Sequence, residues 1–237
     1  MMNILITNDD GYLSPSLAAL AEWAEQFGAV TVIAPKEEQS GKSHSIDFHA
    51  PIEIKQVTLA TGKQAWSVAS TPADCVRFGV LGLKQHYDLV LSGINRGYNL
   101  GCDIAYSGTV GAIFEAARQG MKGVALSTDF GDYRGAVDAL DTIKRYFDER
   151  RLLELNGLYN VNIPPKHDGI RITRQGGIFY TDEFVHQGND MYMQVGSAVH
   201  YDTLHEHLDI AAIGDSCISI TPLQFERTNL DVFNQLK

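Results

Sequence analysis

The chain has little that would let it work outside an ordinary globular setting. It holds three cysteines, Cys75, Cys102 and Cys217, an odd number with no CxxC spacing. A disulfide framework and a zinc knuckle are both disfavoured by that pattern. No apolar run is long enough to span a bilayer. The start, Met1-Met2-Asn3, has no basic stretch followed by a long apolar one, so no signal peptide is read and a cytoplasmic location is expected. Positive charge is also scarce: 19 Lys and Arg against 29 Asp and Glu leave a formal net charge of −10. Such a surface repels nucleic-acid polymers and anionic membranes, so neither is expected as a partner. A small anion can still bind if a metal ion, a helix start or a few basic side chains supply local positive charge.

What is present is an alternation of buried strands and amphipathic helices. The 237 residues are 44% hydrophobic and 20% charged, enough for one elaborated α/β domain. Ile4-Leu5-Ile6-Thr7 reads as a buried strand that stops at Asn8-Asp9-Asp10-Gly11. Ser14-Pro15 opens a helix that Gly28 is expected to end, and Val30 to Ala34 is the next strand. A strand–helix–strand opening predicts a parallel sheet. Residues 52–68 alternate like short antiparallel strands, and 73–83 read as a helix. Residues 88–92, 123–127 and 159–164 read as further strands, with helices over 109–119 and 136–151. The expected fold is α/β: a Rossmann-like, mostly parallel sheet with helices on both faces, its catalytic core spanning 1–165. Beyond Pro165 the segments 170–173, 178–185 and 191–199 look strand-like with no clear helix between them. They suggest a β-rich antiparallel arm over 166–237, whose bare edges call for a neighbouring subunit. Ile218 to Thr221 then returns as a core strand.

In open α/β sheets ligands sit beyond the carboxyl ends of the strands. Those ends carry Asn8, Asp9 and Asp10, then Gln39, Ser40 and Gly41, then Asn95 and Asn99. Adjacent carboxylates repel, and a hard divalent cation such as Mg²⁺ or Mn²⁺ relieves that, with Ser40 and Asn95 as neutral oxygen donors. Taken alone, Asp-Asp-Gly reads more readily as a turn with a helix-capping acid, and the metal reading gains only from the other strand ends. Tyr106-Ser107-Gly108-Thr109 leaves N–H groups at a helix start open to phosphate, or is an ordinary cap at Ser107. Rival motifs fail. Gly41-Lys42-Ser43 lacks the earlier P-loop glycine, no GxGxxG follows the first strand, and no GxSxG elbow occurs. Gly214-Asp215-Ser216 has no partnered histidine, and His205-Glu206-His207 has the spacing of a polar turn rather than a helical zinc pair.

Taken in order, these segments resemble the SurE (stationary-phase survival protein) family of nucleotidases. The resemblance rests on residues 6–11, Ala34-Pro35 with Gln39-Ser40-Gly41, residues 71–76, and residues 92–99 running on to Asp103 and to 106–111. Asn162-Ile163-Pro164 and residues 218–223 echo it later. Asp215-Ser216-Cys217 departs from the glycine–aromatic pair expected there. The resemblance implies one divalent cation per subunit held by Asp9, Asp10, Ser40 and Asn95. It implies hydrolysis of 5′- and 3′-nucleoside monophosphates, with short polyphosphate as a further substrate. It also implies a homodimer or homotetramer with exchanged C-terminal segments. Asp9, Asp10 and Asn95 are the expected catalytic residues, and Asn95, Ser107, Gly108 and Thr109 the expected phosphate binders. A covalent aspartyl-phosphate on Asp9 is the alternative chemistry. A non-catalytic nucleotide-binding module and a sugar-nucleotide glycosyltransferase are the alternative functions.

Overall fold

Strands with apolar side chains pointing to both faces are stable only when both faces are covered, and runs such as Ile4-Leu5-Ile6 and Leu89-Val90-Leu91 put such strands in the middle of the sheet. The computed structural model describes residues 2–198 and 205–237. Strands β1 (Met2–Thr7), β2 (Gly28–Pro35), β5 (Leu89–Arg96), β6 (Lys122–Thr128) and β7 (Leu158–Ile163) run parallel. With β3 (Ile54–Thr58), β4 (Gln64–Val68), β8 (Gly169–Ile172) and β11 (Cys217–Pro222) they form a nine-stranded sheet in the order β3-β4-β2-β1-β5-β6-β7-β11-β8. Side chains of one strand alternate between the faces. Ile4, Ile6, Leu89 and Leu91 pack with α1 (Pro15–Ala24) and α4 (Arg134–Glu149). Leu5, Ile33 and Val90 pack on the other face with α2 (Pro72–Arg77) and α3 (Gly108–Arg118). Helices therefore cover both faces, and each fully buried Leu or Ile adds about 2 kcal/mol relative to exposure. Among the described residues no helix is long and apolar enough to cross a membrane.

The chain leaves β1 toward β2 on one side and places β5 on the other. Strand order reverses between β1 and β5, and such a reversal opens a crevice at the carboxyl ends. The register of β5 on β6 shifts between Ser92 and Asn95. Gly93, at φ +140°, makes room for that shift, because a Cβ there would come within 2.2 Å of Leu126 O. An irregularity of this kind re-aims the side chains that follow, here Asn95.

Several sequence expectations change. Gly28 does not cap α1, which ends at Ala24; it opens β2 instead. Ser14 stands at the helix start, but its hydroxyl bonds Ser16 Oγ at 2.9 Å rather than a backbone N–H. The helix expected over 73–83 is α2 followed by a π-helical turn, Phe78–Gly82. Residues 170–173 do not belong to an arm. They form β8, which pairs parallel with β11 and widens the main sheet, because alternating half-buried residues suit a sheet edge as well as a hairpin. The arm is narrower: β9 (Tyr180–Gly188) and β10 (Met191–Ala198) form a two-stranded antiparallel hairpin. Val199 lies outside the described residues. Three short helices went unread: α5 (Leu152–Leu155), α6 (Asp209–Gly214) and α7 (Leu230–Leu236).

Candidate active site

β1 ends at Thr7, and the chain runs on into the crevice as Asn8, Asp9 and Asp10. Asn8 Nδ2 donates to Gly11 O at 3.0 Å and fixes the turn toward α1. Asp9 is only 4% exposed. Its backbone carbonyl accepts from Gln39 N at 2.7 Å, which seats the loop bearing Ser40 beside it. Its Oδ1 accepts from Thr109 Oγ1 at 2.5 Å. A Cβ on Gly108 would lie 3.2 Å from Asp9 Cβ and 3.3 Å from its Oδ2, so the carboxylate presses against the first turn of α3. Asp10 is half-buried and accepts from the backbone N–H of Arg96 at 3.3 Å.

Burial pushes the Asp9 carboxyl up to about 6; the Thr109 hydroxyl opposes the rise and the charge of Asp10 adds to it. Burial also raises Asp10, opposed by the Arg96 N–H and reinforced by Glu38. Among the described residues no Lys, Arg or His forms an ion pair with either carboxylate. The charge of Arg96, in the wall of the same cleft, also favours ionised Asp10, but it forms no ion pair with either acid, and a buried charge such as that of Asp9 without a paired counter-charge is costly.

Asp9, Ser40, Asn95 and Ser107 line one open cleft of about 260 Å³. Ser40 Oγ donates to Glu38 Oε1 at 2.6 Å. Asn95 Nδ2 donates to Gly97 O at 2.8 Å. Ser107 caps α3, its hydroxyl oxygen accepting from Val110 N at 3.1 Å. Asp10, Gly108 and Thr109 stand behind this lining. Thr109 is fully buried with its hydroxyl committed to Asp9, and its backbone N–H also favours the ionised Asp9. The anion nearest the start of α3 is therefore the Asp9 carboxylate. Of the expected phosphate binders, Ser107 and Asn95 are the two that line the cleft.

The oxygens of Asp9, Asp10, Ser40 and Asn95 suit a hard cation, which prefers carboxylate, amide and hydroxyl oxygen. Among the described residues no group of three or more His, Cys, Asp or Glu could hold a metal, so only a mixed acid–neutral set is available. The counter-charge that Asp9 lacks is what such an ion would supply.

The cleft has further walls that the sequence did not point to: Arg96, Phe130, Tyr180 and Asp182. Phe130 follows the end of β6, so the strand-end rule would have found it. Tyr180 and Asp182 come from the hairpin strand β9, and their approach has no local signal. Asp103 moors them: its Oδ2 accepts from the N–H groups of Phe179 and Tyr180 at 3.1 and 2.9 Å. Asn99, another lining residue, sits on a buried amide network. Its N–H donates to Asn162 Oδ1, and its carbonyl accepts from Asn160 and Asn162, all at 2.8 Å. His44, which no motif singled out, bonds the buried Glu115 at 2.9 Å, and Arg77, Arg118 and Gln119 donate to the same carboxylate. The rejected motifs lie elsewhere. Asp215 pairs with Arg171 at 2.7 Å, and residues 205–207 form an exposed turn.

Fold and cleft together define a class: an open α/β protein with strand-end carboxylates at the point where strand order reverses. Within that class the chain belongs to the SurE family. The family profile described as "Survival protein SurE" matches residues 4–182. The 5′-nucleotidase SurE of Herpetosiphon aurantiacus is 40% identical, over 99% of this chain and 97% of its own length. The 5′-nucleotidase SurE of Desulforudis audaxviator is 36% identical, over 100% of this chain and 96% of its own. The crystal structure of the SurE protein from Aquifex aeolicus superposes with a TM-score of 0.78 at 33% identity, covering 99% of this chain and 98% of that one.

Proposed function

We propose that the chain is a metal-dependent phosphomonoesterase that hydrolyses nucleoside 5′- and 3′-monophosphates to nucleoside and phosphate, with short-chain polyphosphate as a further substrate. The observation that carries this reading is the pair Asp9 and Asp10, without an ion-paired base among the described residues, with Asp9 lining an open cleft and set against a helix start and Asp10 beside it. The names of the relatives support the nucleotide part.

Asp9, Asp10, Ser40 and Asn95 would hold one Mg²⁺ or Mn²⁺ per subunit. When bound, that ion supplies charge to the phosphate oxygens and acidifies a water. The chain's own residues do the rest. Asp9, fixed by Thr109, orients the attacking water and takes its proton. Asn95 and Ser107 donate to phosphate oxygens from positions set before substrate arrives, with Gly108 and Thr109 shaping the helix start behind them. Asp10, held by the Arg96 N–H, would be the second carboxylate offered to the cation.

The same proposal extends to assembly and location. A homodimer or homotetramer would cover Phe184, Tyr192 and Met193 of the hairpin, which are more than half exposed, and the apolar residues of α7. The working location is the cytoplasm. The test is phosphate release from AMP, 3′-AMP and a short polyphosphate, with Mn²⁺, with Mg²⁺ and with a chelator. Release from the nucleotides that requires added metal is expected. Nucleotide binding without release in any metal would defeat the hydrolase reading.

A further inference from the structure

Phe130 lies two residues beyond the end of β6, at the carboxyl edge of the sheet. It is a large apolar side chain, yet it is 68% exposed. Single exposed aromatics are common, but this one forms part of the same cleft as Asp9, Ser40, Asn95 and Ser107. Its position is fixed. Arg96 Nη2 donates to its carbonyl at 3.3 Å. The tip of the ring lies against Gly97, where a Cβ would come within 2.9 Å of Cζ. Gly97 has φ +124°, a conformation that disfavours a side chain and so keeps this seat open. The carbonyl of Gly97 in turn accepts from Asn95 Nδ2. One residue therefore links the bare ring to the amide proposed to hold phosphate.

We infer that Phe130 is the platform on which the nucleobase of the substrate stacks. The inference rests on the nucleotidase reading above. With phosphate held at Asn95 and Ser107, the sugar and base must extend toward the open side of the cleft. A flat π-system meeting an exposed phenyl face gains dispersion and quadrupole attraction without any reading of the base edge. Every base has such a face, so the platform selects nucleoside phosphates as a class. Purines, with the larger face, gain most.

The test uses the full-length protein with Mn²⁺ and three probes: AMP, UMP and ribose 5-phosphate. Calorimetry gives binding, and phosphate release gives kcat and KM. Phe130→Leu keeps apolar bulk and removes the ring; Phe130→Tyr keeps the ring. The leucine variant is expected to lose about 5- to 100-fold in affinity for AMP, the range set by base–aromatic stacking. It should lose less for UMP and stay within about 2-fold for ribose 5-phosphate. The loss should fall on KM, with kcat retained, and the tyrosine variant should behave as wild type. Tyr106, 65% exposed on the same cleft, is the control, and Tyr106→Leu should leave the AMP to ribose 5-phosphate ratio unchanged. The inference is overturned if Phe130→Leu keeps that ratio, if Tyr106→Leu carries the loss, or if the wild type does not prefer AMP. Failure of the parent reading looks different: AMP binding that depends on Phe130, with no phosphate released.

Discussion

Thr109 Oγ1 donates a 2.5 Å hydrogen bond to Asp9 Oδ1, joining the end of β1 to the first turn of α3 across 100 residues of chain. The bond favours the ionised carboxylate against its burial. Thr109→Val should therefore raise the Asp9 pKa further and weaken Mn²⁺ binding by about tenfold, as expected for a lost bond to a charged group. Thr109→Ser should restore most of it. Metal titration monitored by electron paramagnetic resonance would check this, and unchanged affinity in the valine variant would show the bond to be incidental.

Asp9 also predicts a pH dependence for the metal-free fold. Its folded pKa, about 6, lies above the ordinary 3.8. A raised carboxyl favours the folded state below its unfolded pKa and loses that contribution as pH rises through the folded one. Chelated protein should thus lose on the order of 3 kcal/mol from this group between about pH 4 and pH 7. Asp9→Asn should flatten that part of the slope and be the more stable protein at neutral pH. The same variant should lose turnover by about 100-fold or more at saturating Mn²⁺. Parallel stability–pH curves, or near wild-type turnover, would contradict the role given to Asp9.

Glu115 gathers His44, Arg77, Arg118 and Gln119 while only 1% exposed. It ties the loop that carries Ser40 to α3. Glu115→Ala should cost about 2 kcal/mol, a value discounted because Arg77 and Arg118 reach solvent. In a chain of this size that lowers Tm by roughly 4–8 °C. Thermal melting at neutral pH measures it, and an unchanged Tm would mean that solvent replaces the pairings.

The hairpin can be removed without cutting the sheet, because β8 and β11 lie outside it. Replacing residues 183–195 by a two-residue turn should leave a folded protein of lower oligomeric state. Sedimentation velocity decides, and an assembly of wild-type size would assign the contacts to another surface.

The middle of the fold was legible because β1, β2, β5 and β6 each hold a buried apolar run, while β7, though fully buried, interleaves Asn160 and Asn162 among its apolar residues. β8 was misplaced because a half-buried edge strand and an arm strand share one pattern. α6 spans only six residues, too few to display a helical period. At the cleft, Asp9, Ser40, Asn95 and Ser107 could be gathered on paper because Asn95 lies at the end of a strand, Asp9 and Ser40 follow strands, and Ser107 caps a helix. The commitment of Thr109 to Asp9 could not, since it depends on the depth at which α3 packs. His44 finds Glu115 across 71 residues, and no periodicity encodes that meeting.

Burial of Asp9 sets fitness against robustness at one position. A library screened for heat resistance without metal should discard this aspartate early, since a neutral side chain of the same size relieves the strand end. Retaining it makes sense only where catalysis is also under selection, so a residue that weakens the empty protein is one that reports what the chain is kept for.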